Sequence, residues 1–258
     1  MTVTAGSKAA GETLEERYRI VRDRIGEAAA SASRSEKDIV LVAVTKNAEP
    51  EDIRRLMELG HEDFGENRVQ QLAQRAAMSG EWVERARVLH ETDGAGVQPN
   101  QLIRWHMIGH LQRNKARKVV DLVRLVQSVD SLRLAEELQA LLRKSDRRLD
   151  VLLQVNISGE DSKHGCLSPA VPAIGEQFDS MYSLRLRGLM TMAPYSENPE
   201  DARPHFARCR ELFEEIKQDG AGDGAFNLLS MGMSGDYSVA IEEGANVVRV
   251  GSALFNPA

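Results

Sequence analysis

The chain has 258 residues, 42% of them hydrophobic and 28% charged, which suits a globular protein with one barrel-sized core or two smaller ones. A formal charge of -6, with 39 acidic residues against 33 basic, argues against nucleic acid or an anionic membrane as partner. No apolar run approaches the ~20 residues of a membrane span, no secretory h-region opens the chain, and the distant Cys166 and Cys209 read as free thiols of a reducing, cytoplasmic compartment.

Residues 1–12 read as a flexible tail and 13–258 as a single domain. The segment "TLEERYRIVRDRIGEAA" has helical apolar spacing, with Thr13 and Glu16 placed as a capping box, and predicts an extra N-terminal helix. Strand and helix patterns then alternate. "DIVLVAV" is a strand and "EPEDIRRLMELG" a helix closed by Gly60; "DFGEN" is a short strand end and "RVQQLAQRAAMSG" a helix. Between Glu81 and Gln101 the pattern lapses into loop chemistry. "WHMIG", "LVQSVD" and "DVLLQVNI" are strands, separated by the helices "LQRNKARKVVDLV" and "SLRLAEELQALLRKS". The loop "SGEDSKHGCLSP" leads into the helix "AVPAIGEQF". "LRLRGLMTM" and "FNLLSMG" are strands flanking a helix within residues 199–220, "DYSVAIEEG" is a short helix, and "NVVRVGSALF" is the last strand and its exit. Strict alternation predicts a parallel sheet. The length predicts a (β/α)8 TIM-type barrel, and no Gly-rich fingerprint follows the first strand to favour a doubly wound sheet.

Barrel chemistry sits at the C-terminal strand ends, and there the unusual residues gather. Lys46 closes the first strand, Asn67 follows the second, His106 lies on the third, "SMGMSGD" closes the seventh and "RVGS" the eighth. Small residues let the backbone approach a ligand. Met233, Ser234 and Gly235, with Gly251 and Ser252 from the neighbouring loop, form a candidate phosphate cradle, in the place where barrels often build one. A lysine on that rim suits imine formation with a phosphorylated aldehyde, pyridoxal phosphate being the obvious one. By strand alternation Arg249 faces the side of Gly251 and would meet the pyridine nitrogen. The plainer alternative makes Lys46 an ion-pair partner of Glu66 or Asp236. His106 reads equally as a satisfied core histidine. His61, His90, His110, His164 and His205 look too scattered for a metal cluster, and no metal is expected.

The motifs "VAVTK", "FGENRVQ", "WHMIGHLQRNK", "VNISGEDSKHG", "RGLMTM" and "LSMGMSGDYSVAIEEGANVVRVGSALF" together resemble the pyridoxal phosphate homeostasis protein family, itself similar to the N-terminal barrel of alanine racemases. The resemblance runs in order from Ile39 to Phe255. It implies a covalent Schiff base on Lys46, phosphate contacts from Ser234, Gly235, Gly251 and Ser252, Arg249 near the ring nitrogen, and Asn67 in the cofactor pocket. Thr45 replaces the serine that often precedes the lysine, keeping a hydroxyl. Alanine racemases bring a second acid/base residue, a tyrosine, from a further domain. This sequence offers only Tyr195 and Tyr237 near the rim. The expectation is therefore a monomeric, non-catalytic carrier that holds pyridoxal phosphate and supplies apo-enzymes. The alternatives are an amino-acid racemase and a protein-interaction regulator with a vestigial site.

Overall fold

The computed structural model describes residues 12–89, 97, 101–143, 145, 147–160, 163–222 and 224–256. The expected tail falls outside the described residues except for Glu12. In chain order the elements are α1 (Leu14–Ser31), β1 (Val40–Val44), α2 (Pro50–Glu58), β2 (Asp63–Glu66), α3 (Val69–Leu89), β3 (Arg104–Met107), β4 (Leu125–Val129), α4 (Leu132–Leu142), β5 (Leu149–Asn156), β6 (Cys166–Leu167), α5 (Val171–Phe178), β7 (Leu184–Met190), α6 (Arg203–Gln218), β8 (Leu228–Ser230), α7 (Tyr237–Glu242), β9 (Val247–Val250) and α8 (Ser252–Phe255).

The β-branched runs of β1, β4, β5 and β9 favour extended backbone and are buried almost throughout, as strands covered on both faces must be. All pairings are parallel, in the order β4-β3-β2-β1-β9-β8-β7-β5, and β4 also pairs with β5. That last pairing closes the expected eight-stranded barrel. The two-residue β6 adds to the outer end of β5 within a stretch the sequence reads as loop. Thr13 caps α1 as expected, its amide bonded to Glu16 Oε2 at 2.8 Å. The helix then packs across α7 and α8, where Arg17 Nε donates to Leu254 O at 2.6 Å.

Two elements differ from the sequence reading. Helix α3 does not stop near Gly80 but continues to Leu89. Ala86 is buried, Trp82 and Val83 pack on the core, and Trp105 Nε1 donates to Ser79 Oγ at 3.1 Å. These contacts outweigh the ~1 kcal/mol helix penalty of one glycine. The rest of the expected Glu81–Gln101 loop, apart from Val97 and Gln101, lies outside the described residues. The segment "LQRNKARKVVDLV" makes only a 3-10 turn, Arg113–Lys118, instead of an α-helix. Its charged residues are exposed, and only Ala116, Val119, Val120 and Val123 after Leu111 are buried, too few to hold a longer amphipathic face.

Alternation splits the strands' side chains between two cores. The outer layer, including Leu41, Ala43, Phe64, Val126 and Val248, packs on the helices. A smaller cluster of Leu125, Leu152 and Met190 fills the barrel, with Met192 and Leu228 against it. The same interior buries His106, Gln127, Gln154, Ser230 and Arg249, an unusual polar load. Charges plug the N-terminal end. Asp63 pairs with Arg104 at 2.6 Å, and Asp150 with Arg185 at 2.6 Å and Arg187 at 2.7 Å.

Candidate functional site

β1 ends in a single 3-10 turn, Thr45–Asn47, with Thr45 buried and Lys46 exposed on the C-terminal rim. The turn is gripped from beneath. Glu66, the buried last residue of β2, accepts from Thr45 Oγ1 at 2.6 Å and ion-pairs with Arg75 of α3. The same guanidinium donates to Thr45 O and, at 2.9 Å, to Ala48 O. Carbonyls on both sides of Lys46 are thereby fixed. This overturns Glu66 as the lysine's partner, since its charge is spent on Arg75. Asp236 instead accepts from the Met233 amide at 2.6 Å. Among the described residues no ion pair engages Lys46.

The two glycine-rich turns meet beside this one. Gly251 follows β9, which pairs with β1 through Ala43 and Val250. A Cβ at Gly251 would stand 3.2 Å from both Val44 Cβ and Val44 O, so any larger residue would have to push the two strand ends apart by a few tenths of an ångström. Ser234 Oγ accepts from the amides of Gly251 at 3.1 Å and Ala253 at 3.2 Å, which leaves its own O–H proton to donate elsewhere. Among the described residues no protein group accepts from the amides of Ser234, Gly235 or Ser252. Open space surrounds the Gly235 Cα, and Gly235, Ser252 and Met233 are exposed. Unclaimed amide donors on neighbouring turns are what an anion-binding nest requires.

Arg249 lies below the nest, 4% exposed. Its Nη1 donates to Ser230 Oγ at 2.6 Å and its Nη2 to Thr191 O at 2.9 Å. Burial pushes the guanidinium down to about 10, opposed by Asp236 and Cys209, so it stays cationic at neutral pH. Asp236 is itself raised by burial, against the Met233 amide and Arg249. Ser230 Oγ donates in turn to Gln127 Oε1 at 2.6 Å, and Gln127 Nε2 meets His106 Nδ1 at 2.9 Å. The other ring nitrogen of His106 meets Asp63 Oδ1 at 3.1 Å. His106 is thus a fully partnered interior residue, joined to Arg249 through two side chains.

Asn67 is exposed in the turn after β2. A Cβ at Gly109 would lie 2.3 Å from Asn67 O, so Gly109 allows the loop after β3 to press on that turn. The sequence reading missed Arg75, Gly109, Gln127 and Thr191. Gln127 had a signal, a long polar side chain inside the apolar run "LVQSV". Arg75 had none, being one charge on an ordinary helix. The histidines also need correcting. His110 and His164, far apart in sequence, stack with ring centroids 4.2 Å apart, and Asp130 lies beside them. His90 lies outside the described residues. Tyr237 is buried in the outer layer near Arg24 of α1, and Tyr195 is 90% exposed. A cleft of about 570 Å³ lined by Arg148, Phe178, Tyr182 and Arg185 lies at the opposite end, by the start of β7, and includes none of the rim residues.

The alanine racemase N-terminal domain family matches residues 20–257. A pyridoxal phosphate homeostasis protein of Aquifex aeolicus (strain VF5) is 38% identical over 240 residues, covering 93% of this chain and 96% of its own. Among solved structures, an unknown protein from Bifidobacterium adolescentis matches with a TM-score of 0.82 at 33% identity, covering 94% of each chain. PipY of Synechococcus elongatus PCC7942, solved with PLP bound, matches with a TM-score of 0.71 at 30% identity, covering 95% of this chain and 100% of its own. With a barrel shared over nearly its whole length and this level of identity, the chain belongs to the pyridoxal phosphate homeostasis protein family.

Proposed function

We propose that this protein holds pyridoxal phosphate covalently at Lys46 and releases it to apo-enzymes, with little or no turnover of its own. The observation that carries the reading is one junction. The Gly251–Val44 approach brings the unclaimed amides of Ser234, Gly235 and Ser252 beside the turn that presents Lys46. Such donors suit a dianionic phosphate. The amides of Ser234, Gly235 and Ser252 and the Ser234 hydroxyl would hold it, with Gly251, whose amide is bonded to Ser234 Oγ, lying close against it; Asn67 and Met233 would border the pocket, and His106 would support Arg249 from below. When bound, the cofactor supplies an aldehyde and an electron-withdrawing ring.

The protein's own groups argue for holding over turnover. Arg249 stays cationic up to about pH 10, and a cation facing a pyridine nitrogen disfavours protonation there, which weakens the ring as an electron sink. Racemisation needs an acid/base group on each face of the reacting carbon. Neither rim-loop tyrosine is placed for it, since Tyr237 is buried beside α1 and Tyr195 extends into solvent. The name of the Aquifex aeolicus relative and the PLP-bound PipY structure support the same reading.

The test is borohydride reduction of protein loaded with pyridoxal phosphate, followed by intact mass and peptide mapping. The expected result is one cofactor on the peptide containing Lys46, none on Lys46→Ala, and no D-isomer formed from L-amino acids. Label on another lysine would reject the attachment site. Rapid formation of D-amino acids would establish a racemase, and a wild type that takes up no cofactor would favour a regulator with a vestigial pocket.

A further inference from the structure

Three donors meet on the same rim, away from the amide nest. His110 lies three residues beyond β3, Asp130 directly follows β4, and His164 sits in the loop between β5 and β6. His110 Nδ1 lies 2.8 Å from Asp130 Oδ2, and one ligand atom from each of the three residues falls within 4.8 Å of the others. Three consecutive barrel strands therefore bring two imidazoles and a carboxylate to one point. We propose that His110, Asp130 and His164 form a divalent transition-metal site of the zinc class, which fastens the loop after β5 to the ends of β3 and β4.

The donor set suits zinc, which takes imidazole and carboxylate ligands and accepts three protein ligands with water in the fourth position. Zinc sits about 2.0–2.1 Å from each ligand, so tetrahedral donors stand roughly 3.3 Å apart. Donor atoms up to 4.8 Å apart must therefore close by as much as about 1.5 Å. The two rings stack within 9° of parallel, an arrangement that aims neither in-plane lone pair between them, so one ring must turn as the ion enters. Both imidazoles are exposed, and exposed side chains change rotamer in about picoseconds to nanoseconds.

The frame around the donors is already anchored. Cys166 Sγ donates to Asp130 O at 3.2 Å, and Gln154 Nε2 of β5 donates to His164 O at 3.0 Å. Asn156 holds the same loop from inside, donating to Glu160 O at 2.9 Å and accepting from the Gly159 amide at 3.0 Å. A bound ion would add a tie between His164 and the ends of β3 and β4, beside the existing Cys166–Asp130 contact.

The experiment is calorimetric titration of the chelator-treated full chain with Zn²⁺ in the absence of pyridoxal phosphate. Its outcome is therefore independent of the Lys46 reading. One equivalent is expected to bind. His110→Ala, His164→Ala and Asp130→Asn should each weaken binding by about 10-fold or more, since even outer-shell partners are worth ~10–100-fold. Hydrogen exchange across residues 157–167 should slow when Zn²⁺ is added to the wild type and not when it is added to His164→Ala. Circular dichroism verifies that each variant is folded. No saturable binding by the wild type, or binding that all three substitutions leave intact, would overturn the proposal.

Discussion

His61 shows how one buried side chain sets a pH limit. Its Nε2 lies 2.8 Å from Asp63 O and its Nδ1 3.3 Å from the Tyr18 hydroxyl. A neutral ring with its proton on Nε2 satisfies both contacts, donating to the carbonyl and accepting from the phenol. Burial pushes this imidazole down to about 4, against the pull of Asp63. Between that value and the ordinary ~6.5 the unfolded chain binds a proton that the native chain refuses. Stability is therefore complete above pH ~6.5 and falls as pH drops toward 4, by up to about 3 kcal/mol. Asp63 acts in a lower window. Burial raises its carboxyl, but the hydrogen bonds from Arg104 and His106 win, so its contribution is lost only below its ordinary value of ~3.9. Urea melts at pH 7, 5 and 4 should show the decline in wild type and a flatter profile in His61→Gln; equal slopes would reject the assignment. Glu66 and Arg75 make a second case. Removing one partner of a buried pair strands the other, so Arg75→Met should cost about 3 kcal/mol, while Glu66→Gln combined with Arg75→Met should cost clearly less than the sum of the two. A double-mutant cycle by chemical denaturation reads this directly. At this scale the sequence reached Glu66, but only as one of two alternative partners for Lys46, because Arg75 comes within reach only through the register of α3.

Elements were most legible where one period dominated. The apolar stripe of α4 and the β-branched runs of β1, β5 and β9 leave little choice of conformation, and each forms where its pattern predicts. Failures came where local propensity and tertiary packing disagree. Gly80 reads as a stop, yet the residues beyond it still have a core to bury against. Conversely, "RNKARK" contains helix formers but offers too little apolar face to be held as an α-helix. Gly80 therefore carries an unneeded backbone-entropy cost. A Cβ there meets nothing within 4 Å, so Gly80→Ala should stabilise the protein by about 0.5–1 kcal/mol. Differential scanning calorimetry should show a Tm rise of roughly 1–4 °C, and an unchanged or lower Tm would mean that α3 is not a continuous helix in solution.

Across the whole molecule, the barrel carries a charged plug at one end and the proposed cofactor rim at the other. Strand alternation and the position of the strand ends were enough to gather Lys46, Ser234, Gly251 and Arg249 on paper, because a closed parallel barrel puts all C-terminal ends on one rim. The hydrogen-bonded path from His106 through Gln127 and Ser230 to Arg249 was not legible, since pairing across the interior depends on barrel closure rather than on sequence distance. The charged plug at the other end follows the same logic. Asp150 is 3% exposed and is ringed by Arg185 and Arg187, with Arg124 at 3.5 Å. Asp150→Asn keeps the shape and removes the charge, leaving three guanidiniums crowded around a neutral amide. Part of the loss is relieved because Arg124 and Arg185 reach solvent, so a cost of about 3 kcal/mol is expected, a Tm lower by roughly 6–12 °C. The single equivalent of pyridoxal phosphate proposed for the opposite rim should still be taken up when measured below the lowered Tm. Loss of cofactor uptake from a still-folded Asp150→Asn protein would show that the two ends are coupled and that this division of the barrel is wrong.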